Sequence, residues 1–422
     1  MGPESRVRVT VVGVGAGGWA SVDPAGRGAV HRADVLLGGP RHLAMVPDAA
    51  APAAIRETWP SPLLDGLDAL LERHDGRNVV ALASGDPMVS GIGSTLVRRL
   101  GPDAVRVLPA VSSAALARAR MSWPAEGCAV VTLVGRGTDR LRRHLARGRR
   151  LIVLTGDADG PAAVARVLVD EGFGASAMTL LAELGGPAES RRDGTADGML
   201  GVDGAALGLV CVECRGARGY SRAPGLPDDA FENDGQLSRR PIRAAAVSAL
   251  APRPGELLWD VGAGAGSVGI EWARGASGCR ALAIERDAGR ADAVRRNAAR
   301  LGVPDLVTVV EGAAPDALAG LERPDAVFVG GGGSRPGVLE ACWAAVPAGG
   351  RLVAHAVTLE TQAVLAEWHR AHGGELLRYA VDVAGPIGAF TGWEPMRPVV
   401  QWCGVKPTAA ESKQDPEEGD RS

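Results

Sequence analysis

At 422 residues the chain is too long for one ordinary domain, and 46% apolar with 23% charged residues describes a globular protein with ample core. A formal net charge of -3 argues against a polyanion partner, and no uncharged run of 18 apolar residues offers a membrane span. Nearly all the positive charge is arginine, since Lys406 and Lys413 are the only lysines.

The chain enters a strand almost at once, "VRVTVVGVG" (7–15), which leaves no room for a signal peptide. Further apolar, glycine-bounded runs follow at 78–87, 104–113, 150–157 and 206–216. Helical patterns such as "PLLDGLDALLERH" and "GPAAVARVLVDEG" lie between them. Strands alternating with helices predict an α/β fold with a mostly parallel sheet covered on both faces. Cys211 and Cys214 form a C-x-x-C on the last of these strands, where residues three apart face opposite sides. No metal or redox pair is therefore expected, and all six cysteines are read as structural thiols of a reducing cytoplasm.

Residues 220–236, "YSRAPGLPDDAFENDGQ", have little apolar periodicity and read as a linker between domains at 1–219 and 237–407. A second α/β series follows. It comprises helix 239–250, strand 257–261, helix 267–275, strand 280–285, helix 288–301, strands 306–311, 325–329 and 351–357, and a closing pair near 376–383 and 397–405. The polar tail 408–422 reads as disordered.

The turn after strand 257–261 carries Gly262, Ala263, Gly264, Ala265 and Gly266, with Gly269 completing G-x-G-x-x-G. Such a turn presents backbone N–H groups to a ligand at a helix start. NAD would place its pyrophosphate there, but Asp260 precedes the glycines. Two unit charges of like sign 4 Å apart repel by about 1 kcal/mol in water and several-fold more near a protein surface. S-adenosylmethionine has no phosphate and carries an ammonium and a sulfonium, so the same acid attracts it. Glu285 at the next strand end can accept both ribose hydroxyls, and Gly312 to Ala314 offer small residues against a flat adenine. Gly330 to Gly333 leave open space where a substrate meets the methyl group. These residues select S-adenosylmethionine over NAD.

The first half opens with a similar turn, Gly13, Gly15 and Gly17, and continues with "SGDPMVSGIG" from Ser84 to Gly93 and "VSSAAL" around Ser112 and Ser113. With "GGPRHL" at 38–43, these motifs resemble the tetrapyrrole methyltransferases of cobalamin biosynthesis. "GQLSRRPIR", "WDVGAGAGSVGIEW", "AIERD", "EGAAPDAL", "VGGGG" and "AVTLET" resemble the decarboxylating precorrin methyltransferases. The resemblance covers roughly residues 7 to 407. It implies a two-lobed tetrapyrrole methyltransferase fold followed by a Rossmann-like domain, each binding S-adenosylmethionine.

Cofactor contacts are implied at Gly13, Gly15, Gly17, Ser84, Gly85, Asp86, Val89, Ser112 and Ser113. In the second half they are implied at Ser238, Gly262 to Gly266, Glu285 and Ala314, beside Asp260 and Gly312. The implied reaction is methylation of a precorrin at two meso carbons, C-5 and C-15, with loss of the C-12 acetate carboxyl. The substrate carries many carboxylates, so Arg41, Arg239, Arg240 and Arg335 are candidate partners. His42 is a further substrate contact, and Gly331 and Gly332 would border it. His355 stands where the family has asparagine and is a candidate proton donor or acceptor. Ala16 replaces a usual proline and Ala313 a common aspartate. A homo-oligomer is expected. The competing reading is a nucleic-acid methyltransferase with an N-terminal recognition domain, against which the acidic balance and the lack of a basic, aromatic-studded face count. A tetrapyrrole-binding scaffold with vestigial sites is opposed by the intact glycine turns.

Overall fold

A computed structural model describes residues 8–205 and 207–408. The expected disordered tail falls, from residue 409 on, outside the described residues, as do Val7 and Ala206. The chain divides into two compact units. One holds the residues up to Thr138 with Leu145–Arg218, the other Asp139–His144 with the residues from Gly219 on.

The first unit begins with β1 (Val9–Val14), α1 (Pro24–His31), β2 (Val35–Gly38), α2 (Pro40–Met45) and β3 (Ile55–Thr58). It continues with α3 (Leu63–Arg73), β4 (Val79–Ser84), α4 (Ile92–Leu100), β5 (Val105–Leu108) and α5 (Ser113–Met121). The five strands form one parallel sheet in the order β3-β2-β4-β1-β5. Alternate residues feed two cores: Val9, Val11, Val35, Leu37 and Val79 on one face, Val12, Val14, Leu36, Val80 and Leu82 on the other. Burial on both faces is why these strands read as unbroken apolar runs.

A second sheet follows, built from β6 (Cys128–Thr132), β7 (Arg150–Leu154), β8 (Ala177–Ala182), β9 (Ser190–Thr195) and β10 (Gly208–Glu213), with α6 (Gly160–Asp170) between β7 and β8. Here the sequence expectation is corrected, because only β6 and β7 run parallel; β10 is antiparallel to β7 and β8, and β9 to β8. A short connection turns β8 back into β9, which only an antiparallel pair permits. β9 reads "SRRDGT" and is exposed throughout, a charged edge strand with no apolar run to reveal it.

The second unit comprises α7 (Arg240–Leu250), β11 (Leu257–Val261), α8 (Ser267–Gly275), β12 (Arg280–Glu285), α9 (Ala288–Arg300), β13 (Val307–Glu311) and β14 (Ala326–Val329). It then adds α10 (Val338–Ala345), β15 (Arg351–Ala356), α11 (Leu359–His372), β16 (Glu375–Tyr379), β17 (Asp382–Ile387), β18 (Phe390–Pro395) and β19 (Val399–Val405). Its seven-stranded sheet has the order β13-β12-β11-β14-β15-β19-β16, while β17 and β18 form a separate hairpin that sequence reasoning did not foresee. The order reverses between β11 and β14. In open α/β sheets, ligands bind outside the carboxyl ends of the strands at such a switch point.

The stretch 220–236 is no free linker. Leu226, Ala230 and Phe231 are buried in one core with Ala246, Val247, Leu250 and Trp272. Arg243, 0% exposed, ties the segment down. It donates to Glu271 at 2.6 Å, to Asp228 at 3.0 Å and to the Leu226 carbonyl, and it lies over the Phe231 ring. Glu271 in turn accepts from the Gly225 and Leu226 N–H groups. A buried charge is tolerated because each of its three nitrogens meets an acceptor.

Candidate methyl-donor sites

In the second unit β11 delivers the chain into Gly262, Gly264 and Gly266, all at positive φ, before α8 begins. The backbone packs so closely that a Cβ on Gly262 would lie 2.8 Å from the Gly331 nitrogen, so the loops after β11 and β14 meet at the switch point. Glu285 ends the neighbouring strand. One carboxylate oxygen accepts from the Gly264 N–H at 2.8 Å and the other from the Asp287 N–H at 3.0 Å. Each oxygen keeps a further lone pair, which suits a vicinal diol. Gly312, at φ +150, closes β13 and donates to the Glu285 carbonyl at 3.0 Å. The loops that carry Gly262 to Gly266, Glu285 and Gly312 to Ala314 thus follow three adjacent strands at one edge of the sheet. Ser238 follows the strap, whose Gln236 carbonyl would lie 3.2 Å from a Cβ on Gly264.

Asp260 requires correction. It does not stand at the mouth of the glycine loop but beneath it, 1% exposed, with one oxygen accepting from the Gly269 N–H of α8 at 2.8 Å and the other unpartnered. Burial pushes its pKa up to about 7, with Glu285 adding to the rise and the Gly269 bond opposing it. It therefore braces loop against helix, and the electrostatic preference for a cationic donor cannot rest on a fixed charge at this residue.

His355 is corrected as well. It is 8% exposed on β15, 2.8 Å from Gln401 Oε1 and edge-on to Phe328. Burial lowers its pKa to about 4 against the opposing hydrogen bond. A neutral ring sealed between strands makes a packing group, not a proton donor. Arg335, Gly331 and Gly332 are exposed beyond β14. Arg240 is exposed too, and Arg239 sits 3.7 Å from Asp228.

Sequence reasoning missed Asn297. Its side chain accepts from the Glu232 N–H and donates to the Ala265 carbonyl, clamping strap to glycine loop. An asparagine in "VRRNAAR" gives no hint of partners 32 and 65 residues away.

In the first unit three strand ends converge. A Cβ on Gly13 would lie 2.0 Å from the Gly85 carbonyl and 2.5 Å from the Ala110 nitrogen, so glycine is required there. Gly85, at φ +52, donates to the Val14 carbonyl and accepts from Ala110. Asp86 accepts from the Met88 N–H at 2.9 Å, Val89 packs toward Ala114 and Ala117, and the Ser112 hydroxyl caps α5 ahead of exposed Ser113. Gly15 lies beside Ser21, while Gly17 approaches the Gly185 carbonyl, so the glycine turn meets the loop after β8. Arg41 faces Glu183 at 3.9 Å, and His42 Nε2 lies 2.9 Å from Ser84 Oγ. Every predicted site residue of this unit except Arg41 sits on or beside the loops at the carboxyl edge of β1, β4 or β5, or pairs with one that does.

Two family models define the class: "Tetrapyrrole (Corrin/Porphyrin) Methylases" matches residues 8–199 and "Precorrin methyltransferase domain" matches residues 229–406. A precorrin-6Y C(5,15)-methyltransferase [decarboxylating] from Sinorhizobium sp is 45% identical over 402 residues, 94% of this chain and 96% of the relative. A probable cobalt-precorrin-6B C(15)-methyltransferase (decarboxylating) from Pyrobaculum calidifontis is 39% identical over 39% of this chain and 78% of its own length. The crystal structure of the C-terminal domain of precorrin-6Y C5,15-methyltransferase from Rhodobacter capsulatus matches at 45% identity and TM-score 0.42, covering 44% of this chain and 99% of that one. The chain belongs to the decarboxylating precorrin-6Y C(5,15)-methyltransferase family.

Proposed function

We propose that the chain methylates a precorrin at C-5 and C-15 and decarboxylates its C-12 acetate, giving precorrin-8 in cobalamin biosynthesis, with S-adenosylmethionine as methyl donor. The observation that carries this reading is the pair of glycine cradles, one in each unit, at the carboxyl ends of parallel strands. The cradles fit the donor: Gly13 and Gly262 bring neighbouring backbone too close for a Cβ, and in the second unit Glu285 holds lone pairs for ribose hydroxyls. Bound there, the donor supplies an electrophilic sulfonium methyl.

The residues proposed to hold it are Gly13, Gly15, Gly17, Ser84 to Asp86, Val89, Ser112 and Ser113 in the first unit. In the second they are Ser238, Gly262 to Gly266, Glu285, Gly312 and Ala314. The protein's task is orientation, since holding reacting atoms about 3–3.5 Å apart in line contributes roughly 7–11 kcal/mol. Arg41, His42, Arg239, Arg240 and Arg335, with Gly331 and Gly332, are proposed to receive the substrate. C-15 adjoins the ring that bears the C-12 acetate, so one site can serve both; we assign that pair to the second unit and C-5 to the first. Mass spectrometry of the product tests this: gain of two methyls and loss of one carbon dioxide is expected, and any other change refutes it.

The free state of all six cysteines fits a reducing cytoplasm, and no helix among the described residues is long and apolar enough to cross a membrane. A homo-oligomer is proposed with the β17–β18 hairpin as its contact. A two-stranded sheet is marginal alone in water, yet this one exposes Phe390 at 80% and Trp393 at 74%. Trp393→Ser is expected to lower the oligomer's mass in light scattering; an unchanged mass removes the hairpin from the interface.

A further inference from the structure

The reading above uses Ser84 and His42 only as contacts, but their geometry supports a reaction step. Ser84 ends β4 directly across from Val14 of the glycine turn. His42 lies on α2, which follows β2, the other neighbour of β4. Both side chains therefore stand at the carboxyl edge of the sheet, 2.9 Å apart from Nε2 to Oγ. Burial, then the Arg41 guanidinium, hold the imidazole below its usual range, so at pH 7 the ring is neutral and keeps a lone pair. Arg41 itself is opposed by Glu183.

We propose that Ser84 and His42 form the proton relay that completes methylation at C-5. This rests on assigning C-5 to the first unit. A meso carbon carries one hydrogen. When a methyl bonds to it, the donor's carbon–sulfur bond breaks to leave a neutral thioether, the meso hydrogen stays, and the sulfonium's positive charge passes to the conjugated ring. The charge is discharged when the C–H bond breaks and its electron pair returns to the ring. The departing proton passes to Ser84 Oγ while the hydroxyl's own proton passes to His42 Nε2, and the imidazolium then releases it to solvent. No oxidant or further reactant is needed. The relay uses the tautomer protonated at Nδ1, the nitrogen beside Gly39.

The test uses the full chain and a precorrin deuterated at C-5, followed through single turnovers by mass spectrometry. In the wild type, proton removal is fast and deuterium leaves the C-5 rate unchanged. His42→Gln and Ser84→Ala are expected to slow that step by about 10²-fold, with a primary isotope effect now visible; in His42→Gln, which is no donor contact, calorimetry still finds two donor sites per chain. Nitrogen-15 NMR of the ligand-free chain adds a readout independent of turnover. It should show His42 neutral at pH 7 with Nε2 as acceptor, and Ser84→Ala should move that resonance. The relay is overturned if either variant keeps the full rate or slows without an isotope effect, if His42→Gln loses a donor site, or if wild-type His42 is charged at pH 7. A wild-type chain that never methylates C-5 refutes instead the proposed reaction, and variants that lose C-15 in place of C-5 methylation refute the unit assignment.

Discussion

The two glycine cradles stand at the carboxyl ends of parallel strands in both units but are braced by different means. In the first unit, main chain holds main chain: Gly13, Gly85 and Ala110 lock three strand ends together. In the second, side chains do the bracing, with Glu285 on Gly264, Asp260 on Gly269 and Asn297 on Ala265. A cradle braced by backbone can be lost only by crowding it. One braced by buried side chains can be loosened one group at a time and responds to pH.

The largest effects should separate the two. Gly13→Ala places a methyl within contact of two neighbouring strand ends and is expected to abolish donor binding in the first unit alone. Glu285→Ala removes acceptors for two backbone N–H groups as well as the proposed ribose contacts. With hydrogen bonds to charged groups at about 1.5–3 kcal/mol each, its affinity should fall at least about 10²-fold in the second unit alone. Calorimetry should count one remaining site in each variant; loss of both sites together would dissolve the comparison. Next in size, Arg243→Ala leaves Glu271 buried without its counter-ion, which costs about 3–5 kcal/mol. Calorimetric melting should show the second unit destabilised and the first unmoved.

The smallest effects concern pH. Asp260 titrates near 7 when folded, so the folded chain keeps a proton the unfolded chain loses. The stability this gives is full in acid and is lost as pH rises from about 4 to 7. His355, depressed to about 4, does the reverse: its neutral form is favoured by folding, so stability falls as pH drops from 6.5 toward 4. The two oppose each other. Asp260→Asn should therefore expose a loss of thermal stability at pH 5 relative to pH 7, and adding His355→Asn should flatten it with little change in turnover. A single variant with no new pH dependence would show that these groups do not brace the second unit.

Much of this organisation was legible in the residues. The strand 257–261, helix 267–275 and strand 280–285 read from sequence match the observed elements to the residue, because buried parallel strands are bounded by glycine and charge. What failed depended on long-range partners. Arg243 is one arginine among many until Glu271 and Asp228 surround it, and "linker" 220–236 hides its apolar anchors at uneven spacing. The position of Asp260 in sequence was clear, but the direction of its side chain was not, since a penultimate strand residue can point to either face of a sheet. His355 was misread for the same reason. The β17–β18 hairpin carries its apolar residues outward, against the rule by which strands are found.

The strap from Tyr220 to Gln236 also bears on where the chain could be divided. Because its anchors sit inside the second unit's interior, a chain severed at the apparent seam would leave the back portion with an open hydrophobic wound and an orphaned guanidinium. A workable cut has to fall upstream of Tyr220, where the first unit ends at Arg218 and the second resumes at Gly219.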